Sequence, residues 1–119
     1  MTSPELDTRL MYPAEKLDAA RRALMLPHPM GEAQSLVGAF QECSIGLSNV
    51  RDDMLDDNSR HWVRIIRETM DSSDIDITDE TRKTGTAIVR AKQLSTDEKQ
   101  EFASAVDELA HWFHHRVFG

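Results

Sequence analysis

Residues 94–118 read LSTDEKQEFASAVDELAHWFHHRVF and carry the clearest helical repeat in the chain. Ser95 and Glu98 are three positions apart, as in a capping box, where each side chain takes an unpaired amide of the first helical turn. Apolar side chains then recur every three or four residues on one face: Phe102, Val106, Leu109, Phe113 and Val117. At 1.5 Å per residue such a helix is roughly 35 Å long. The stretch predicts the spine of an all-α bundle.

Shorter helices are predicted upstream of this spine. Pro13 suits a helix start, and residues 32–50 carry a second apolar stripe: Leu36, Phe40, Cys43, Leu47 and Val50. A third helix is predicted over 59–70, and residues 80–92 favour a fourth, with a short strand over 85–89 as the alternative. Residues 1–12 lack a period and predict a loosely ordered arm. We therefore expect one domain over 1–119, a bundle of four or five helices in which 32–50 and 96–117 are the long antiparallel elements.

Composition narrows the classes of function. The chain has 119 residues, 29% of them charged, and a formal net charge of −7. An acidic protein is poorly suited to a nucleic acid or an anionic membrane as its main partner. No apolar run approaches the length of a membrane span, the N-terminus lacks a signal-peptide pattern, and a single cysteine cannot form an internal disulfide. We expect a cytoplasmic protein with no cofactor.

The charge is uneven along the chain, because residues 51–80 hold ten acidic and four basic side chains. Such a segment favours a partner protein with a basic surface. The candidate interaction residues are Asp52, Asp53, Asp56, Asp57 and Trp62, the last as an aromatic anchor. Trp62 and Trp112 could instead share burial across a homodimer.

The residues of the last helix suggest an alternative function that depends on a bound metal ion. Helical spacing puts Asp107, His111 and His115 on one face, where carboxylate and imidazole groups can share a divalent ion. Glu108 and His111 also match the Glu-x-x-His element of di-metal bundles, but the sequence holds no second copy. The alternative function is a metal-binding protein or a hydrolase that uses these histidines.

Arg22 and His28 are separated by five residues. This spacing resembles the Arg-x5-His motif of HEPN ribonucleases, which are small helical bundles and often dimers. The resemblance implies an RNA-cleaving pair at these two positions. Cys43 lies on an apolar stripe, where cysteine behaves as a small buried hydrophobe. By elimination, the sequence favours a non-catalytic interaction or regulatory module, with the ribonuclease as a further alternative.

Overall fold

The computed structural model describes residues 7–25, 27–28 and 30–119, and within them all regular structure is helical. The α-helices are α1 (Met11–Ala23), α2 (Glu32–Leu47), α3 (Asp57–Met70), α4 (Asp79–Thr84), α5 (Thr86–Gln93) and α6 (Thr96–Phe118). Short 3-10 turns, Thr8–Leu10 and Asp52–Met54, precede α1 and α3. The prediction of an all-α bundle with a long C-terminal helix is confirmed.

The start of α6 follows the predicted capping box. The backbone N–H of Glu98 donates to Oγ of Ser95 at 3.1 Å, and the backbone N–H of Ser95 donates to Oε1 of Glu98 at 2.9 Å. The apolar stripe of α6 faces the core, with Phe102, Leu109 and Phe113 wholly buried. The local signals of this segment were therefore sufficient to define it.

Helices α1 and α3 both run antiparallel to α6. At one end of the α1–α6 pair, Arg21 lies 3.8 Å from Asp107, and at the other the N–H of Asp7 donates to the carbonyl of Arg116. The start of α3 lies beside Trp112, late in α6. Helix α2 packs on α1 and α5, so α1 lies against both long helices.

The predicted antiparallel arrangement of α2 and α6 is wrong. Glu32 early in α2 pairs with Lys99 early in α6, and further along both helices the rings of Phe40 and Phe102 meet edge to face at 5.2 Å. These contacts advance in the same direction along the two helices. The reason is that α1 takes the antiparallel position beside each of them, which the periodicity of α2 alone could not indicate.

Two boundaries also differ from the predictions. Within the predicted arm, Thr8–Leu10 forms a 3-10 turn, α1 begins at Met11 instead of Pro13, and Leu10 is wholly buried. Residues 7–12 are thus part of the packed fold, while the arm's first six residues lie outside the described part. Residues 80–92 are helical, and the strand alternative is wrong. Gly85, with φ of 94°, divides them into α4 and α5, because this backbone conformation favours glycine and ends a helix.

Candidate interaction surface

All four predicted acidic interaction residues are exposed, and three of them, Asp52, Asp53 and Asp57, lie among arginines. Asp53 accepts from Nε of Arg51 at 3.1 Å, and this bond lowers the pKa of Asp53. Asp57 lies 3.3 Å from Nη1 of Arg60, which also donates through Nη2 to the carbonyl of Asp52 at 3.0 Å. The arginines therefore offset much of the negative field that the carboxylates of this turn would present.

The side chain of the fourth residue, Asp56, takes part in hydrogen bonds that stabilise the fold. It caps α3 by accepting from the backbone N–H of Ser59 at 2.8 Å, and it accepts from Nε1 of Trp112 at 3.1 Å. The bond from the backbone of Ser59 is the main cause that lowers the pKa of Asp56. Trp62 is half-buried and packs against the core. Neither residue presents the free side chain that a docking surface needs.

The unbalanced charge lies in the following stretch of sequence. Residues 51–67 hold four acidic and four basic side chains, whereas residues 68–80 hold six acidic and no basic ones. We call residues 68–80 the acidic segment; its carboxylates belong to Glu68, Asp71, Asp74, Asp76, Asp79 and Glu80. The whole surplus of six negative charges that characterises residues 51–80 comes from this segment. This surplus of negative charge can be counted from the sequence alone when residues 51–80 are divided after Arg67.

All six carboxylates of the acidic segment belong to exposed residues. Across the described ranges, none of them lies within 4 Å of a Lys, Arg or His nitrogen. Asp71 accepts from the backbone N–H of Ser73 at 2.9 Å, which lowers its pKa and keeps it ionised at neutral pH. The segment therefore presents a concentrated negative surface, unlike the turn before α3.

The acidic segment also contains one large apolar side chain that is exposed to solvent. Ile77 is 60% exposed, whereas Ile75, two residues earlier, is buried. Thr78 and Thr81 form a reciprocal capping box at the start of α4, and Oγ1 of Thr81 donates to the carbonyl of Asp76 at 3.0 Å. These bonds fix the backbone on both sides of Ile77. Periodicity did not predict this residue, because it lies in a loop.

The segment is also tied to the rest of the bundle. Nε of Arg90 in α5 donates to the carbonyl of Thr69 at 2.8 Å, and Nη2 of Arg90 lies 3.7 Å from Glu98 at the start of α6. Arg90 thus joins the end of α3, α5 and α6 directly beneath the beginning of the acidic segment. A loop anchored to the bundle at its start, and ordered at its end by the Thr78–Thr81 capping box, loses less conformational entropy on binding than a free one.

The structure brings together two of the three residues of the predicted metal set. Nδ1 of His111 donates to the carbonyl of Asp107 at 2.8 Å and lies 3.6 Å from its carboxylate, which Arg21 also approaches. His115 is exposed one turn further on. Over 7–25, 27–28 and 30–119, no group of three His, Cys, Asp or Glu side chains is arranged to hold a metal ion.

The remaining candidates for chemistry are separated or buried. Arg22 pairs with Asp18 at 3.0 Å and lines a depression between α1 and α2, while His28 lines a different, smaller cavity beside Lys99. The two residues of the ribonuclease-like spacing do not share a cleft. Cys43 is wholly buried, and burial raises its pKa to about 12, so its thiol stays protonated and unreactive at neutral pH.

No family model, curated protein or solved structure matches the chain. None of the helices that the structure describes has both the length and the apolar character to cross a bilayer.

Proposed function

We propose that the protein is a non-catalytic interaction module that binds a partner protein with a basic surface through the acidic segment. The observation that carries the proposal is the set of six exposed carboxylates over residues 68–80 with no basic residue among them. The residues predicted from the sequence to make this contact lie on or just after the preceding turn. The arginine pairs of that turn favour the acidic segment instead.

The negative charge of the acidic segment favours a basic partner because it raises the rate of association. A surface of one sign attracts the opposite sign over about one Debye length, 8–10 Å at physiological ionic strength, and so raises the rate of encounter. Exposed ion pairs contribute little free energy individually, about 0–1 kcal/mol each. The carboxylates would therefore select and orient the partner more than they hold it.

Ile77 supplies the contact that charge alone does not. Binding energy concentrates in a few apolar anchors that become buried, surrounded by polar contacts that exclude water. Ile77 is exposed between Asp76 and Thr78 on a backbone fixed by the Thr78–Thr81 capping box. A basic partner with a small apolar pocket fits this arrangement, with the pocket over Ile77 and Lys or Arg side chains around it.

Other features fit the non-catalytic character of the proposal. The one thiol is buried with a raised pKa, and the Asp107–His111 pair lies on an exposed helix face with a single neighbouring arginine. A lone reduced thiol also fits a cytoplasmic location, which we include in the proposal.

The test compares two variants with the same change in net charge. One carries Asp74→Asn, Asp76→Asn and Glu80→Gln in the acidic segment. The matched control carries Asp52→Asn, Asp53→Asn and Asp57→Asn in the arginine-balanced turn. Each protein, immobilised in equal amount, is used to capture partners from a lysate of its native cells, and the captured proteins are quantified by mass spectrometry.

We expect the wild type and the control to capture the same partner, and the acidic-segment variant to lose it. A second pair, Ile77→Ser against Ile45→Ser on α2, should separate in the same way, because both isoleucines are exposed but only Ile77 lies in the segment. Equal capture by all variants would contradict the proposed site. Absence of any specific partner for the wild type would contradict the function itself.

A further inference from the structure

Arg90 makes the one hydrogen bond that reaches the acidic segment from a distant part of the described chain. Its Nε donates to the carbonyl of Thr69 at 2.8 Å, and the two residues are 21 positions apart in sequence. The other hydrogen bonds of the segment join residues no more than five positions apart, such as the bond from the hydroxyl of Thr81 to the carbonyl of Asp76. The local bonds fix the shape of the loop, whereas its attachment to the bundle through hydrogen bonds depends on Arg90.

The carbonyl of Thr69 needs this partner, because α3 ends one residue later at Met70. The last four carbonyls of a helix have no partner within it, and a cation at this end also interacts favourably with the helix dipole. The side chain of Arg90 is only 21% exposed, and its Nη2 lies 3.7 Å from Oε2 of Glu98. Glu98 is itself held by the capping box of α6. The guanidinium is therefore held from two sides and stays directed at Thr69.

The loop beyond Thr69 has few other attachments to the bundle. Between Met70 and Thr78, Ile75 is the one side chain that is buried. A segment with few buried apolar contacts and an exposed backbone opens locally at a small cost in free energy. Removal of Arg90 should therefore release the start of the acidic segment without unfolding the helices.

We infer that Arg90 is the residue that positions the acidic segment for its partner, an inference that rests on the proposed function. A partner that covers Ile77 and places basic side chains around it must meet the carboxylates and the isoleucine in one arrangement. A free segment would have to be ordered during binding, and this ordering costs conformational entropy. With Arg90 in place, the segment is attached to α5 and α6 before the partner arrives.

The charge of Arg90 acts in the direction opposite to its positioning role. The pKa of Asp71 is lowered mainly by the backbone N–H of Ser73 and in smaller part by the positive charge of Arg90. That charge offsets part of the negative field that attracts a basic partner, so its removal should not slow association. Loss of a preformed arrangement acts chiefly on dissociation. A variant without Arg90 should therefore associate at least as fast as the wild type and dissociate faster.

The test compares Arg90→Gln with the matched control Arg60→Gln. Both changes remove one positive charge, and both remove an arginine whose Nε donates to a backbone carbonyl, that of Asp52 in the case of Arg60. Only Arg90 is bonded to the acidic segment. Arg90→Lys keeps the charge but not the guanidinium, and it serves the same comparison should Arg90→Gln not fold in a circular dichroism melt. Surface plasmon resonance gives the rates of association and dissociation with the partner protein purified by wild-type capture.

Amide hydrogen exchange measures the release of the segment without any partner. The N–H groups of Ser73 and Ile75 donate within the loop, so their exchange reports on its opening. We expect Arg90→Gln to accelerate exchange over residues 71–78 and to leave the buried helices unchanged, and Arg60→Gln to leave both unchanged. Exchange over 71–78 that is the same in Arg90→Gln as in the wild type would overturn the inference.

Arg90→Gln should dissociate from the partner about twofold to tenfold faster than the wild type, the change that corresponds to one lost hydrogen bond. Arg90→Lys should also dissociate faster, because an ammonium group cannot reproduce the planar fork of donors, and Arg60→Gln should dissociate like the wild type. Equal dissociation of Arg90→Gln and Arg60→Gln, or an effect confined to slower association, would overturn the inference and leave the proposed function standing. The proposed function itself fails only if the wild type has no partner or if the carboxylate variants capture it equally.

Discussion

Replacing Gly46 with alanine should destabilise the protein, whereas the same replacement at Gly38, on the same helix, should stabilise it. A Cβ at position 46 would lie 2.7 Å from Cβ of Lys16 and 3.2 Å from Cδ2 of Leu17, so α1 and α2 would have to separate. A Cβ at position 38 would meet only Cβ of Ala23, at an ordinary 3.9 Å.

The magnitudes follow from two opposing effects. Alanine is favoured over glycine inside a helix by about 1 kcal/mol, and Gly38 lies mid-helix, so Gly38→Ala should gain about 0.5–1 kcal/mol. Overpacking a close contact costs about 1–3 kcal/mol, and Cβ of Lys16 cannot rotate away because it is fixed to the backbone. Near the end of α2 the propensity gain is smaller, so Gly46→Ala should lose about 1–2 kcal/mol.

Urea unfolding followed by circular dichroism measures this difference. With a denaturant slope of about 1–3 kcal/mol per molar urea, the midpoints of the two variants should differ by about 1 M. Equal slopes would establish that the difference is one of stability. If Gly46→Ala were as stable as Gly38→Ala, the close approach of α1 and α2 would be refuted.

Three further changes test the core, the cap of α3 and the metal alternative. Leu109→Ala should cost about 2–5 kcal/mol, since the residue is wholly buried and leaves a cavity; an unchanged thermal melt would contradict the bundle. Asp56→Ala should lower stability by about 1 kcal/mol or more, and Asp57→Ala by much less, because only Asp56 caps α3. Because the pKa of Asp56 is lower in the folded protein than in the unfolded chain, its ionised carboxylate stabilises the fold at pH values above the unfolded-state pKa. This stabilisation disappears as the pH falls through the pKa of Asp56 in the folded protein. A stability difference between wild type and Asp56→Ala that does not shrink in acid would contradict this. Zinc should raise the melting temperature little, because Asp107 and His111 provide two donors; one metal per chain by elemental analysis, lost on His111→Ala, would contradict that reading.

The sequence was sufficient where the signals are local. The capping box at Ser95 and the stripe through Phe113 involve neighbours three or four residues apart, so they fixed α6 before any tertiary contact was known. The direction of α2 relative to α6 depends on α1, which packs against both, and no periodicity encodes that. The break between α4 and α5 at Gly85 could not be predicted either. A glycine inside a helical pattern is compatible both with a continuous helix and with the end of a helix.

The surface was harder to predict than the core. Net charge over residues 51–80 drew attention to Asp56, but composition could not indicate that this side chain bonds to Trp112, which is 56 residues away in sequence. The exposure of Ile77 depends on the loop fixed by Thr78 and Thr81. Such features arise from pairings distant in sequence or from loop geometry, neither of which follows from composition.

The salt dependence of association tests whether the acidic segment steers a basic partner. The partner recovered with the wild type is mixed by stopped flow with the wild type and with the Asp74→Asn, Asp76→Asn, Glu80→Gln variant, over a series of salt concentrations. We predict that the association rate constant of the wild type falls steeply with salt, and that the variant associates more slowly and with a much shallower dependence. Identical salt dependence for the two proteins would contradict the claim.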